Sequence, residues 1–216
     1  MTEIIQRQLQ DLCASYPSFH LNDTNAAGTT LSGHIRREAL YAGVIMDLDF
    51  LVSIHLAVDY PASCPRVFPS NGSVPRSFHS FRDGSLCLGA SYEVVKRFRD
   101  NPTLTGFLEG LLIPYLYSCR FKQLYGSMPY GERSHGPEGV LESYQEIFGV
   151  KSPSAISGFL KIVVSGKYRG HLLCPCGSGM KLRNCHRVVV QSMMSDAEFY
   201  DFNQDIQQLK RCLKPA

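Results

Sequence analysis

Two groups of residues in this chain have the types and spacing to do chemistry. The first is "FHSFRDGSLCLG", Phe78 to Gly89, where Cys87 follows an Asp83-Gly84 turn signal and His79 lies eight residues upstream. A thiol on a loop held by a rigid scaffold can take an acyl group as a thioester and release it again. A histidine near it can donate to an oxyanion, or act as a base toward a thiol or an amine. Both residues also have an ordinary reading. Cys87 between Leu86 and Leu88 suits a small buried hydrophobe, and His79 suits a surface loop. The second group is "CPCGSGMKLRNCH", with Cys174, Cys176, Cys185 and His186 inside thirteen residues. Two ligand pairs across a glycine-rich turn of eight residues make a zinc-knuckle spacing with three sulfurs and one nitrogen. Lys181 and Arg183 can offset the thiolate charge. Four chain ligands close a tetrahedron, so the expected Zn2+ is structural, a staple for a segment too small to hold its own core.

The remaining candidates read as structural. Cys13, Cys119 and Cys212 fall on helical faces, Cys64 lies between prolines, and Asp83 belongs to the turn. His34 and His55 alternate along strands. Tyr92 and Glu93 suit either a helix start or the orientation of an incoming amine.

The elements that position these residues follow from periodicity. Ile5, Leu9 and Leu12 give an amphipathic helix over 2–15 that Pro17 ends. From Thr29 to Val58, "TTLSGHIRRE", "LYAGVIMDL" and "FLVSIHLAV" read as three strands of an antiparallel meander, with a short fourth at "RVFP". Residues 59–91 are punctuated by prolines and glycines, and a long loop without periodicity in a compact domain is usually functional. Helices are expected at "SYEVVKRF", at 103–125 with a kink at Pro114, at 137–148, at 153–164 and at about 195–213. "GSMPYGERSHGPEG" is a second loop. A boundary falls near 150–170, giving a domain over 1–150 and a helical, cysteine-rich region over 151–216.

Composition narrows the function. Hydrophobic residues are 44% and charged residues 19% of the 216, a globular balance. The net charge of +3, carried by scattered basic residues, argues against nucleic acid. No apolar run is long enough to span a membrane. The first residues, with Glu3 and periodic apolar positions, do not read as a secretion signal. A cytoplasmic, reducing location is therefore expected, in which clustered cysteines bind metal and isolated ones are buried or catalytic.

"CPCGSGMKLRNCH" closely resembles the SEC-C motif, Cys-x-Cys-Gly-Ser-Gly, a basic spacer and Cys-Cys or Cys-His. That resemblance implies a small zinc-stabilised tail, used in some members to dock a partner protein. Over roughly 1–148, the order of elements resembles the ubiquitin-conjugating enzymes: helix, four-stranded meander, proline-bearing turn, long loop, cysteine, helices. Tyr60-Pro61 with Pro65 matches their Tyr-Pro-x-x-x-Pro element, and "DGSLCL" matches the segment around their cysteine. The resemblance implies an α+β ubiquitin-conjugating-like fold with Cys87 as the thioester-forming residue. Their His-Pro-Asn motif is absent, and His79 stands where its asparagine would be, as in divergent bacterial members. Such bacterial relatives occur in cyclic-oligonucleotide antiphage (CBASS) operons. There they resemble systems that attach the C-terminus of a cGAS-like nucleotidyltransferase, or of a ubiquitin-like protein, to targets. The chain has no room for a fused adenylating domain. The resemblance thus implies a transferase passing a partner's carboxyl terminus to an amine. A catalytically idle adaptor that docks a partner through its zinc tail is the competing expectation.

Overall fold

The computed structural model describes residues 2–70, 72–129, 134 and 136–212. The chain is α+β and divides into two compact units, Met1–Gly131 and Glu132–Ala216.

The first unit opens with α1 (Glu3–Ser15), capped by the Thr2 hydroxyl accepting from the Ile5 amide. A four-stranded antiparallel sheet comes next in the order β1 (His20–Asn25), β2 (Gly28–Tyr41), β3 (Val44–Leu56) and β4 (Arg66–Pro69). Alternation along β2 and β3 decides which face meets the core. Leu31, Ile35 and Ala39 pair with Ile54, Phe50 and Met46, and all six are buried. The opposite face is polar: Ser32 and Ser53 share a 2.9 Å hydrogen bond, and the Arg36 guanidinium meets Asp49 at 3.1 Å.

The meander differs from the expected one in two places. The expected strand "LYAGVIMDL" is two strands, because Ala42 and Gly43 (φ 49° and 82°) form a two-residue reversal between Tyr41 and Val44. The strand that completes the four is β1, "HLNDTN", whose residues are all exposed. It has no apolar alternation to reveal it and exists through pairing with β2. β4 lies where "RVFP" predicts it.

Beyond the loop come α2 (Ser91–Asp100), α3 (Leu104–Phe107) and α4 (Ile113–Tyr125). The expected kink at Pro114 takes a specific form. Leu108–Leu112 is a π-helical turn closed by the Ile113 amide on the Leu108 carbonyl, and Pro114 sits in the first turn of α4. There its missing amide costs nothing, and the wider turn removes the clash its ring would make with an α-helical neighbour. Leu104, Phe107, Leu108, Leu112 and Leu116 line the core side of this helical run.

The second unit contains α5 (Pro137–Phe148), α6 (Pro153–Ser165), α7 (Arg187–Asp196) and α8 (Phe202–Cys212). The division after Gly131 falls ahead of the boundary expected near 150–170, and α5 lies in the second unit with α6 and α8. Phe148 stacks on Phe159 with centroids 4.4 Å apart, and the Tyr144 hydroxyl donates to buried Asp205 at 2.5 Å. The single final helix expected over 195–213 is also corrected. α7 ends at Asp196, and a turn through Tyr200 precedes α8. Part of the second expected loop, residues 130–133 and 135, and the end of that helix at 213 lie outside the described residues. No single helix among the described residues is long and apolar enough to cross a membrane.

Candidate functional site: an isolated thiol and a four-ligand cluster

Cys87 is positioned by a tight hairpin that begins at His79. The Phe81 amide donates to Ser85 O, Ser80 pairs with Leu86, and the Cys87 amide donates to His79 O at 2.7 Å. Gly84 (φ 86°) turns the chain, and Asp83 accepts from both the Ser85 amide and its hydroxyl. Arg66 of β4 holds the other Asp83 oxygen, so Asp83 serves the turn. The Leu86 amide donates to Val67 O at 2.8 Å, which ties the hairpin to the sheet. The thiol is thus presented at the end of a bonded structure and not on a slack loop.

Tyr115, which sequence reasoning missed, completes this support. From α4 its hydroxyl reaches Phe78 O at 3.0 Å and His79 O at 3.2 Å. One hydroxyl and one amide therefore converge on the His79 carbonyl. Burial pushes the Tyr115 hydroxyl well above its ordinary range, so it stays a donor across physiological pH.

The Cys87 sulfur is half-buried and lies 3.7 Å from Gly89 O. Burial raises its pKa above the ordinary 9.0, and the Gly89 backbone offsets part of the rise. No charged side chain among the described residues contributes to that shift. His79 has φ 31°, its ring packs edge-on against Phe78 at 4.9 Å, and its Nε2 is buried. The structure therefore brings the His79 backbone to Cys87.

Tyr92 is buried at the start of α2, and Glu93 lies in its first turn. Cys119 is buried in the first unit's core, with Cys13 and Cys64 partly buried against it. His34 faces Asp49, and His55 faces Thr30, both on the sheet.

In the second unit all four expected ligands converge. Cys174 Sγ, Cys176 Sγ, Cys185 Sγ and a His186 ring nitrogen lie within 4.8 Å of one another. Cys176 and Cys185 sulfurs are 3.6 Å apart, and His186 Nδ1 is 3.2 Å and 3.1 Å from Cys174 and Cys185. A tetrahedral centre with metal–sulfur bonds of about 2.3 Å needs sulfur–sulfur edges of about 3.8 Å, so the cluster fits one metal ion. The hairpin forms around Gly177 and Gly179, both at positive φ, with the Cys174 amide donating to Met180 O at 2.8 Å.

The outer contact fixes the tautomer. His186 Nε2 is 2.9 Å from Phe148 O, and a carbonyl can only accept. Nε2 therefore carries the proton and Nδ1 presents its lone pair to the metal position. The aromatic ring of Phe159 lies 4.8 Å from the imidazole and holds its plane. Sequence reasoning missed Phe148 because it contributes a backbone carbonyl from a distant helix.

Neither a curated protein nor a solved structure matches the chain. One segment, residues 172–187, matches the SEC-C motif, and it contains all four converging ligands.

Proposed function

We propose that the first unit is a ubiquitin-conjugating-like acyl carrier and that the metal of the second unit is a structural Zn2+. The observation that carries the first reading is the presentation of Cys87. Its thiol ends a hairpin whose backbone is bonded to His79, Val67 and, through His79 O, Tyr115. A sulfur so fixed meets the positional demand of acyl transfer, and half-exposure leaves it reachable by a macromolecule. The donor set, three sulfurs and one imidazole in a closed tetrahedron, supports zinc.

In this reading the Cys87 thiolate attacks the activated C-terminal carboxyl carbon of a protein partner. The carbon–sulfur bond forms as the activating group, a thiolate or a nucleotide phosphate, departs. The nitrogen of an acceptor amine then attacks the same carbon, and a tetrahedral oxyanion forms. The carbon–nitrogen bond is completed as the carbon–sulfur bond breaks, and the amine's proton passes to water or to a base. His79 is the candidate oxyanion donor. The partner is a cGAS-like nucleotidyltransferase or a ubiquitin-like protein, in bacterial antiviral defence.

The test is co-expression with the neighbouring genes of the same genome, then nonreducing gels and mass spectrometry. Wild type should form an adduct that a thiol reductant releases. Cys87→Ser should trap a reductant-resistant ester whose peptide names the partner, and His79→Ala should slow transfer more than loading. An adduct that persists in Cys87→Ala overturns the reading. A second reading, an idle conjugating-fold adaptor, draws on the raised Cys87 thiol, which no cation among the described residues activates. It expects complexes indifferent to Cys87 and sensitive to Cys174 or Cys185.

A further inference from the structure

α6 and the hairpin of the metal cluster enclose a cleft of about 320 Å³. Its apolar surface comes from Ile162, Leu172, Leu173 and Leu182, and its cations are Lys161, Lys167 and Arg169. Leu182 is 1% exposed and forms part of the buried floor, whereas Leu172 and Leu173 are 49% and 70% exposed. The three cations are exposed, and none of them makes an ion pair among the described residues. No aspartate or glutamate among the described residues lines the cleft.

These leucines cannot retreat into the unit. Leu173 pairs with Lys181, the Leu182 amide donates to Leu172 O at 2.9 Å, and the next residue, Cys174, is a ligand position. The bonds that close the metal hairpin are the bonds that hold the leucines outward. An apolar surface rimmed by cations of one sign, without a carboxylate to neutralise them, is complementary to an acidic segment carrying an aliphatic or aromatic side chain. A purely anionic polymer would satisfy the cations and leave the leucines in water, and the volume of the cleft, about 320 Å³, suits one side chain of a peptide better than the flat surface of a membrane.

We propose that this cleft docks a short acidic peptide segment of a partner protein, with one leucine-like side chain seated between Leu173 and the Leu182 floor. The bound metal holds the cleft in its docking shape. This site is independent of Cys87, so it stands whether or not the first unit carries acyl groups.

The test is selection of displayed random twelve-residue peptides on the full-length, zinc-loaded protein, then anisotropy with the labelled consensus peptide. The expected consensus places Asp or Glu beside Leu, Ile or Phe. Lys161→Glu or Arg169→Glu should weaken binding at least tenfold while bound zinc stays at one per chain. Leu173→Asp should abolish binding, chelation should weaken it at least tenfold, and Cys87→Ser should leave it unchanged. A consensus without acidic residues, or the absence of any selected consensus, overturns the proposal. So does a consensus peptide bound equally by Lys161→Glu and Leu173→Asp. Heparin that competes fully with the peptide and ignores Leu173→Asp would also overturn it, and so would anionic vesicles that bind the full-length protein more tightly than the consensus peptide does and compete fully with it, by assigning the surface to anions or to a membrane.

Discussion

Cys87 and Cys176 are both partly buried thiols on glycine-bearing turns, yet their surroundings push them in opposite directions. At Cys176 the Ser178 hydroxyl, against some cost of burial, draws the thiol down to about 6, with help from the Ser178 backbone and neighbouring sulfurs. At Cys87 burial dominates and the thiol is raised. The first environment suits a deprotonated ligand, and beside it Cys174, which burial raises to about 11, needs a metal's charge to lose its proton. The second keeps its proton until something arrives to remove it. Cysteine identity is thus uninformative by itself, and the donors around each sulfur determine which chemistry is open to it.

The largest test of this contrast removes a ligand. Cys185→Ser should lose the bound metal, and a structural zinc accounts for about 10 kcal/mol or more of folding free energy in small zinc domains. Amide protection across the hairpin and α7 should vanish in hydrogen exchange, while protection of β2 and β3 persists. Full metal content in that variant would remove the distinction between the two cysteines.

The second test reads Cys87 by pH. Its folded value is raised, so at neutral pH the thiol is mostly protonated, and thiolate increases about tenfold per pH unit until the folded value is approached. Alkylation of Cys87 in the zinc-loaded protein, read by mass spectrometry, should climb from pH 7 past 9. A plateau below pH 8 would mean that an activating group acts on the sulfur after all.

A smaller effect is expected from Tyr115→Phe. Losing the hydroxyl leaves the Phe78 and His79 carbonyls short of a donor, at a cost of about 1–3 kcal/mol in urea unfolding. If Tyr115 also fixes the thiol loop, the same variant should change the rate of Cys87 alkylation at constant pH. The smallest is Gly84→Ala, where no atom lies within 4 Å of an added methyl group. Only the positive φ opposes it, so stability should fall by about 1 kcal/mol and the metal cluster should be unaffected.

How far these regions were legible depended on whether their determinants were local. The four ligands lie within thirteen residues, so their convergence could be read from spacing. The strands β2 and β3 could be read because one face is buried, but the Ala42-Gly43 reversal lacked the usual Asn-Gly signal. β1 was invisible because exposed polar residues carry no period. Phe148 O and the Tyr115 hydroxyl were missed for one reason: each acts from a helix far along the chain on a backbone atom or ring that sequence does not mark.

The π-helical turn at Leu108–Leu112 sets the angular phase of α4. One extra residue in a helix rotates every later side chain by about 100° about the axis. Glu109, at the start of the turn, meets Arg37 at 2.7 Å, and with the added rotation Tyr115, beyond it, meets the carbonyls before Cys87. Deleting one residue there would restore even pitch and swing the Tyr115 hydroxyl away from the hairpin, leaving every residue of the thiol loop in place. The rotation of one helix about its axis is therefore a hidden coordinate of the Cys87 loop.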